Sequence, residues 1–133
     1  MPRRSTVRTL LAVPALGVAA VAVLSPVAAN AGTPAAPVTA PETAVRAAVS
    51  ASPAVAGVPA GDYAVTDVRV AGSDPAWAAA ALEPTAAGAG TLDPATAVLQ
   101  RVGGTWQVVD LGTAQVGCDL VTPVVRDELA LLC

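Results

Sequence analysis

Ten Asp and Glu side chains supply most of the titratable chemistry of this 133-residue chain, which has no histidine and no lysine. Without histidine there is no Ser–His–Asp relay, no Cys–His pair and no imidazole metal ligand. Without lysine, neither a Schiff base nor a Ser–Lys dyad can be built. Two carboxylates held a few ångströms apart in a cleft can hydrolyse a glycosidic bond, and Asp110, Asp119, Asp127 and Glu128 are the candidates. The same acids, at a strand end, in a loop and on a helix surface, also keep an alanine-rich protein soluble. With only two Trp, one Tyr and no Phe, the chain is short of the aromatic surface a sugar cleft needs. Asp62 and Asp67 have calcium-ligand chemistry, but no Asp-x-Asp-x-Asp-Gly loop surrounds them. The expectation is a non-enzymatic protein with no catalytic residue, no metal and no cofactor.

Two further groups need weighing. Gly88 and Gly90, and Gly103 with Gly104, follow no phosphate-loop spacing; the first pair suits a surface connection and the second a hairpin turn. Tyr63, Trp77 and Trp106 can form a binding platform, but three aromatics on three separate strands suit a core better.

The elements that would position these residues begin near Thr39. Thr39 and Glu42 have capping-box spacing, and Val45, Ala48 and Val49 then fall on one helical face with Arg46 off it. Pro53 bounds that helix. Four strands are predicted: Asp62 to Val70, Ala76 to Leu82, Ala95 to Val102 and Thr105 to Leu111. The second is alanine-rich, which favours helix, but Asp74-Pro75 and Glu83-Pro84 leave too few residues between them for one. Glu83 to Asp93 is expected to be an exposed, unbraced loop.

Gly103-Gly104 suits a two-residue turn that needs positive φ. The register then pairs Val102 with Thr105, Arg101 with Trp106, Leu99 with Val108 and Ala97 with Asp110. Ala97, Leu99, Trp106 and Val108 form the core face. Gln100 and Gln107 oppose one another on the other face, which tolerates water and is the candidate binding surface. Arg101 is expected to lie along the Trp106 indole. Thr122-Pro123 reads as N-cap and first residue of a second helix. Val125, Leu129 and Leu132 would form its apolar stripe, with Arg126, Asp127 and Glu128 towards solvent. The fold class is therefore α+β: an N-terminal helix, a four-stranded antiparallel sheet with one face covered by the helices, and a short C-terminal helix.

The N-terminus reads as an export signal. Arg3, Arg4 and Arg8 precede an apolar run from Leu10 to Leu24, and "AANA" places cleavage after Ala31. Leu10 to Ala29 is just long enough to span a bilayer, but Pro14, Gly17 and Pro26 and the small residues at the cleavage point favour removal. Arg3-Arg4 lacks the apolar residues that would make it a twin-arginine signal. Residues 1–31 are thus assigned to a signal peptide, 32–40 to a Pro/Ala linker, and 41–133 to one small domain. The exported part carries four Arg against ten acids, a balance that disfavours nucleic acid and anionic membrane as partners.

Cys118 and Cys133 are the only cysteines. In an exported chain an even count reads first as a disulfide, with a free thiol pair as the alternative. Closing this loop would be worth roughly 3 kcal/mol by restricting the unfolded chain.

The stretches "WAAAALEP", "AVLQRVGGTWQVVDLGTAQVGC" and "TPVVRDELALLC" resemble a group of small exported proteins from actinobacteria. These share a tryptophan strand, a Gly-Gly-x-Trp hairpin running into a glycine-threonine and a cysteine, then a Pro-Val-Arg helix and a terminal cysteine. The resemblance implies export and a Cys118–Cys133 pairing, and brings no catalytic residue with it. Three functions remain in view: an exported domain that binds an extracellular or cell-surface partner, a secreted protease inhibitor, and a carboxylate hydrolase.

Overall fold

A computed structural model describes residues 39–133. The stretch read as a signal and most of that read as a linker lie outside the described residues. Helix α1 spans Ala40–Ser50, so Ala40 belongs to the helix and not to the linker. Its capping box is formed: the Thr39 N–H donates to Glu42 Oε2 at 2.8 Å, and the Glu42 N–H donates to Thr39 Oγ1 at 3.4 Å. Each bond satisfies a donor that the first helical turn leaves free. Val45 and Val49 are fully buried and Ala48 packs beside them. Arg46 lies off that valine face, as expected, and its guanidinium donates to the Val65 carbonyl. A single 3₁₀ turn, Pro53–Val55, follows.

Strands β1 (Tyr63–Val70), β2 (Trp77–Pro84), β3 (Ala95–Val102) and β4 (Thr105–Gly112) form an antiparallel meander in that order. The alanine run of β2 is strand because it is central and covered on both sides. Ala78 and Ala80 face α1, while Ala79 points the other way, and all three are buried. Small side chains let packed elements approach both faces closely.

The cover of the sheet differs from the sequence expectation. Helix α1 lies on one face, over Ala78, Ala80, Leu82, Ala97, Leu99 and Trp106. Helix α2, Pro123–Glu128, lies on the other, where Val125 and Leu129 pack with Ala79. Each helix presents a narrow apolar stripe, and an apolar residue set on both sides of β2 requires two covers.

Two bulges set the register. In β1, Asp67 and Val68 occupy the space opposite Ala80, and Asp67 takes the left-handed conformation, φ +43°. The insertion lets Val65, Val68 and Val70 all reach the α1 face. In β4 the pairing runs as expected from Val102–Thr105 to Leu99–Val108, then shifts. Val109 is the extra residue, so Ala97 opposes Leu111 and Asp110 opposes Val98. The expected Ala97–Asp110 pair would have turned a carboxylate into the core. The bulge replaces it there with Leu111 and sends Asp110 to the opposite face.

The loop from Thr85 to Pro94 is braced, against expectation, and Glu83 and Pro84 belong to β2. Thr85 Oγ1 donates to the Gly61 carbonyl at 2.6 Å, and the Thr85 N–H donates to the Asp62 carbonyl at 2.9 Å. Gly88 is buried against that same carbonyl: a Cβ there would stand 2.1 Å from Asp62 O.

Candidate functional site

The hairpin of β3 and β4 carries the residues singled out from the sequence. Gly103 and Gly104 both hold positive φ, +57° and +84°, as a primed two-residue turn requires. Arg101 lies over the Trp106 ring, 5.7 Å from its centroid. Gln100 and Gln107 are paired in register, the first half-buried and the second exposed. Trp106 is buried in the α1 cluster, and Tyr63 and Trp77 pack at the edges of the two cores on opposite faces of the sheet.

Cys118 and Cys133 form a disulfide that closes the segment carrying α2. Thr122 caps that helix, its hydroxyl accepting the Val125 N–H at 3.4 Å. The helix ends at Glu128, four residues short of the Leu132 that the expected apolar stripe reaches. Ala130 takes φ +54°, and the N–H groups of Ala130 and Leu131 donate to the carbonyls of Asp127 and Arg126 at 3.1 and 3.0 Å. This is the Schellman arrangement. The reversal turns Leu131 inward in place of Leu132, which is 88 % exposed.

The candidate acids are engaged separately. Asp110 Oδ2 accepts the Gly117 N–H at 2.7 Å. Glu128 is exposed on the helix surface, as expected, and from there anchors α2 to the turn after β1. Its carboxylate accepts the Ser73 N–H at 3.1 and 3.2 Å and the Ser73 hydroxyl at 2.8 Å. The backbone and side chain of Ser73 hold the Glu128 carboxyl below its ordinary value; desolvation partly opposes them, and the Gly72 backbone adds a lesser lowering. Arg126, by contrast, departs from the solvent-facing expectation: it is half-buried and donates to the Cys118 carbonyl at 2.7 Å. Asp119 and Asp127 are exposed. Among the described residues, no three His, Cys, Asp or Glu side chains are placed to share a metal ion. The Thr85–Pro94 loop folds into successive turns, with the Thr91 and Leu92 N–H groups both donating to the Gly88 carbonyl.

One surface was missed in the sequence. β4 is an edge of the sheet, and beside it a groove of about 680 Å³ separates the strand from α1. Its walls include Ala44, Ala47, Ala48 and Ala51 from the helix and Trp106 and Val108 from the strand, with no charged residue among them. The closing pair of a two-residue hairpin exchanges both hydrogen bonds, and alternation follows from it. Thr105 and Gln107 therefore bond to β3, while the N–H and C=O of Trp106 and Val108 point away from the sheet. The Arg101 N–H, which donates to the Ala76 carbonyl at 2.7 Å, fits this alternation. The signal in the sequence was the row Ala44, Ala47 and Ala51, which flanks the valine face of α1 with side chains too short to reach the strand.

No family model, curated protein or solved structure matches the chain.

Proposed function

We propose that this chain is an exported, non-catalytic binding domain that takes an extended segment of a partner protein along the β4 edge. The single observation that carries the proposal is the open edge at Trp106 and Val108 beside the neutral, alanine-walled groove. An added strand would pair with those outward backbone groups and lay alternate side chains against α1, the pattern of strand-addition recognition. The uncharged walls favour a segment with small or apolar residues at every second position. Export supports the same function: the charged and apolar regions before Ala31 read as a signal, and a Cys118–Cys133 disulfide suits an oxidising compartment. The resemblance to small exported actinobacterial proteins points the same way. Gln107, one half of the pair first considered as a binding surface, lines this groove.

Panning the oxidised protein against a displayed library of random peptides tests the proposal. Enriched peptides should alternate apolar and polar residues and should perturb the amide signals of Trp106 and Val108. Val108→Pro removes an outward N–H while sparing the ladder to β3, which edge positions tolerate, and it should abolish binding. Peptides that bind equally well to that variant would contradict the strand-addition model.

A further inference from the structure

A second hollow lies at the far end of the sheet from the Gly103-Gly104 turn, on the α1 face. It has a volume of about 180 Å³ and is bounded by the 3₁₀ turn and the starts and ends of strands, including Val55, Val58, Leu82, Leu92 and Leu111. Two polar side chains join this lining, Tyr63 and the exposed Asp93. Apolar cavities of about 150 Å³ admit a single benzene ring, so this one has room for a small ring or a short branched alkyl group. The braced Thr85–Pro94 loop fixes Leu92 and Asp93 against the hollow, because Gly88 is clamped to Asp62 and Leu92 is tied to the Gly88 carbonyl.

We infer that this hollow is a binding site for a small primary ammonium compound with a compact apolar body. The apolar walls would take the ring or alkyl group, and the Asp93 carboxylate would take the ammonium. Among the described residues, Asp93 makes no salt bridge with an arginine, whereas Asp67 pairs with Arg69 at 2.9 Å. A carboxylate set at the rim of an apolar hollow discriminates by charge: it attracts an ammonium, is indifferent to an alcohol and repels a carboxylate. This site is independent of the β4 groove, and neither needs the other.

The probe is benzylamine, compared with benzyl alcohol and benzoate, titrated into the full oxidised chain with methyl signals followed by NMR. Benzylammonium should give saturable shifts at Val55, Val58, Leu92 and Leu111, with affinity at least about tenfold above benzoate, a ratio equivalent to about 1.4 kcal/mol. Asp93→Asn, an exposed change that leaves the fold intact, should bring the amine down to the affinity of the alcohol and leave the alcohol unaltered. Val58→Phe should fill the hollow and remove the shifts for both. Absence of saturable shifts, equal binding of benzylammonium and benzoate, or an unchanged amine affinity in Asp93→Asn would each overturn the inference.

Discussion

Asp110 Oδ2 accepts the backbone N–H of Gly117 at 2.7 Å, which ties the end of the last strand to the loop entering the disulfide. The contact exists because Val109 is extra in β4 and rotates Asp110 out of the α1 core. A hydrogen bond to a charged acceptor contributes about 1.5–3 kcal/mol. Asp110→Ala should lower unfolding stability by about 2 kcal/mol, measured by urea denaturation of the oxidised protein, and Asp110→Asn should cost less. Deleting Val109 removes the extra residue but keeps Asp110 opposite Val98 and Leu111 opposite Ala97, so this variant should retain a cooperative transition.

Left-handed backbone at two positions leads to opposite expectations. Gly117 has φ +74°, and a Cβ there would approach Val98 Cγ2 to 2.8 Å. Gly117→Ala should therefore destabilise by more than the 1–2 kcal/mol, roughly, that left-handed geometry costs alone. Ala130 already bears that cost at the end of α2, with φ +54°. Ala130→Gly should stabilise by about 1 kcal/mol in the same assay.

Acid should loosen α2 through Glu128. Its carboxyl is held below the unfolded value of 4.5 by the Ser73 N–H and hydroxyl. The folded state thus binds the proton less well than the unfolded chain, so the contribution is complete above that value and is lost as the pH falls through the depressed folded one. Stability of the wild type should fall more steeply with acidification below about pH 4.5 than that of Glu128→Gln. Parallel curves for the two proteins would rule out this contact as the source. Ser73→Ala should reduce the difference without abolishing it, because the Ser73 backbone N–H remains.

The disulfide should matter more than any single one of these contacts. Cys118 and Cys133 enclose α2, which has only Val125 and Leu129 buried among its own residues and its C-cap. Cys118→Ser with Cys133→Ser should cost roughly 3 kcal/mol by releasing the unfolded chain, measured against the oxidised wild type. Helix α1 and the hairpin should survive, since the cluster around Leu99 lies on the opposite face.

Local chemistry made much of this fold legible. The capping box at Thr39 and Glu42, the Gly103-Gly104 turn, the Arg101–Trp106 contact and the Cys118–Cys133 pairing each depend on residues close in sequence or on a cysteine count of two. What was hidden depends on contacts distant in sequence. The Val109 bulge answers a conflict between Asp110 and the α1 core that exists only once α1 covers that face. The two-sided burial of β2 is invisible in an alanine run, because alanine carries no pattern of large and small. Glu128 is the solvent-facing acid its position suggests, but its partner Ser73 lies far back in the chain and leaves no local signal. Ala130 gave no cap signal, since glycine is the usual residue there, and the stripe was extended to Leu132 for that reason. The β4 groove went unnoticed because it is made by side chains that are too small, and a periodicity analysis weighs those that are large.

Amide hydrogen exchange along β4 tests the binding model most directly. In the free protein, Thr105 and Gln107, bonded to β3, should exchange slowly, and Trp106 and Val108, facing outward, should exchange fast. Adding a saturating amount of a selected peptide should protect Trp106 and Val108 and leave Thr105 and Gln107 unchanged. Slow exchange at Trp106 and Val108 in the free protein, or no protection when peptide is bound, would contradict it.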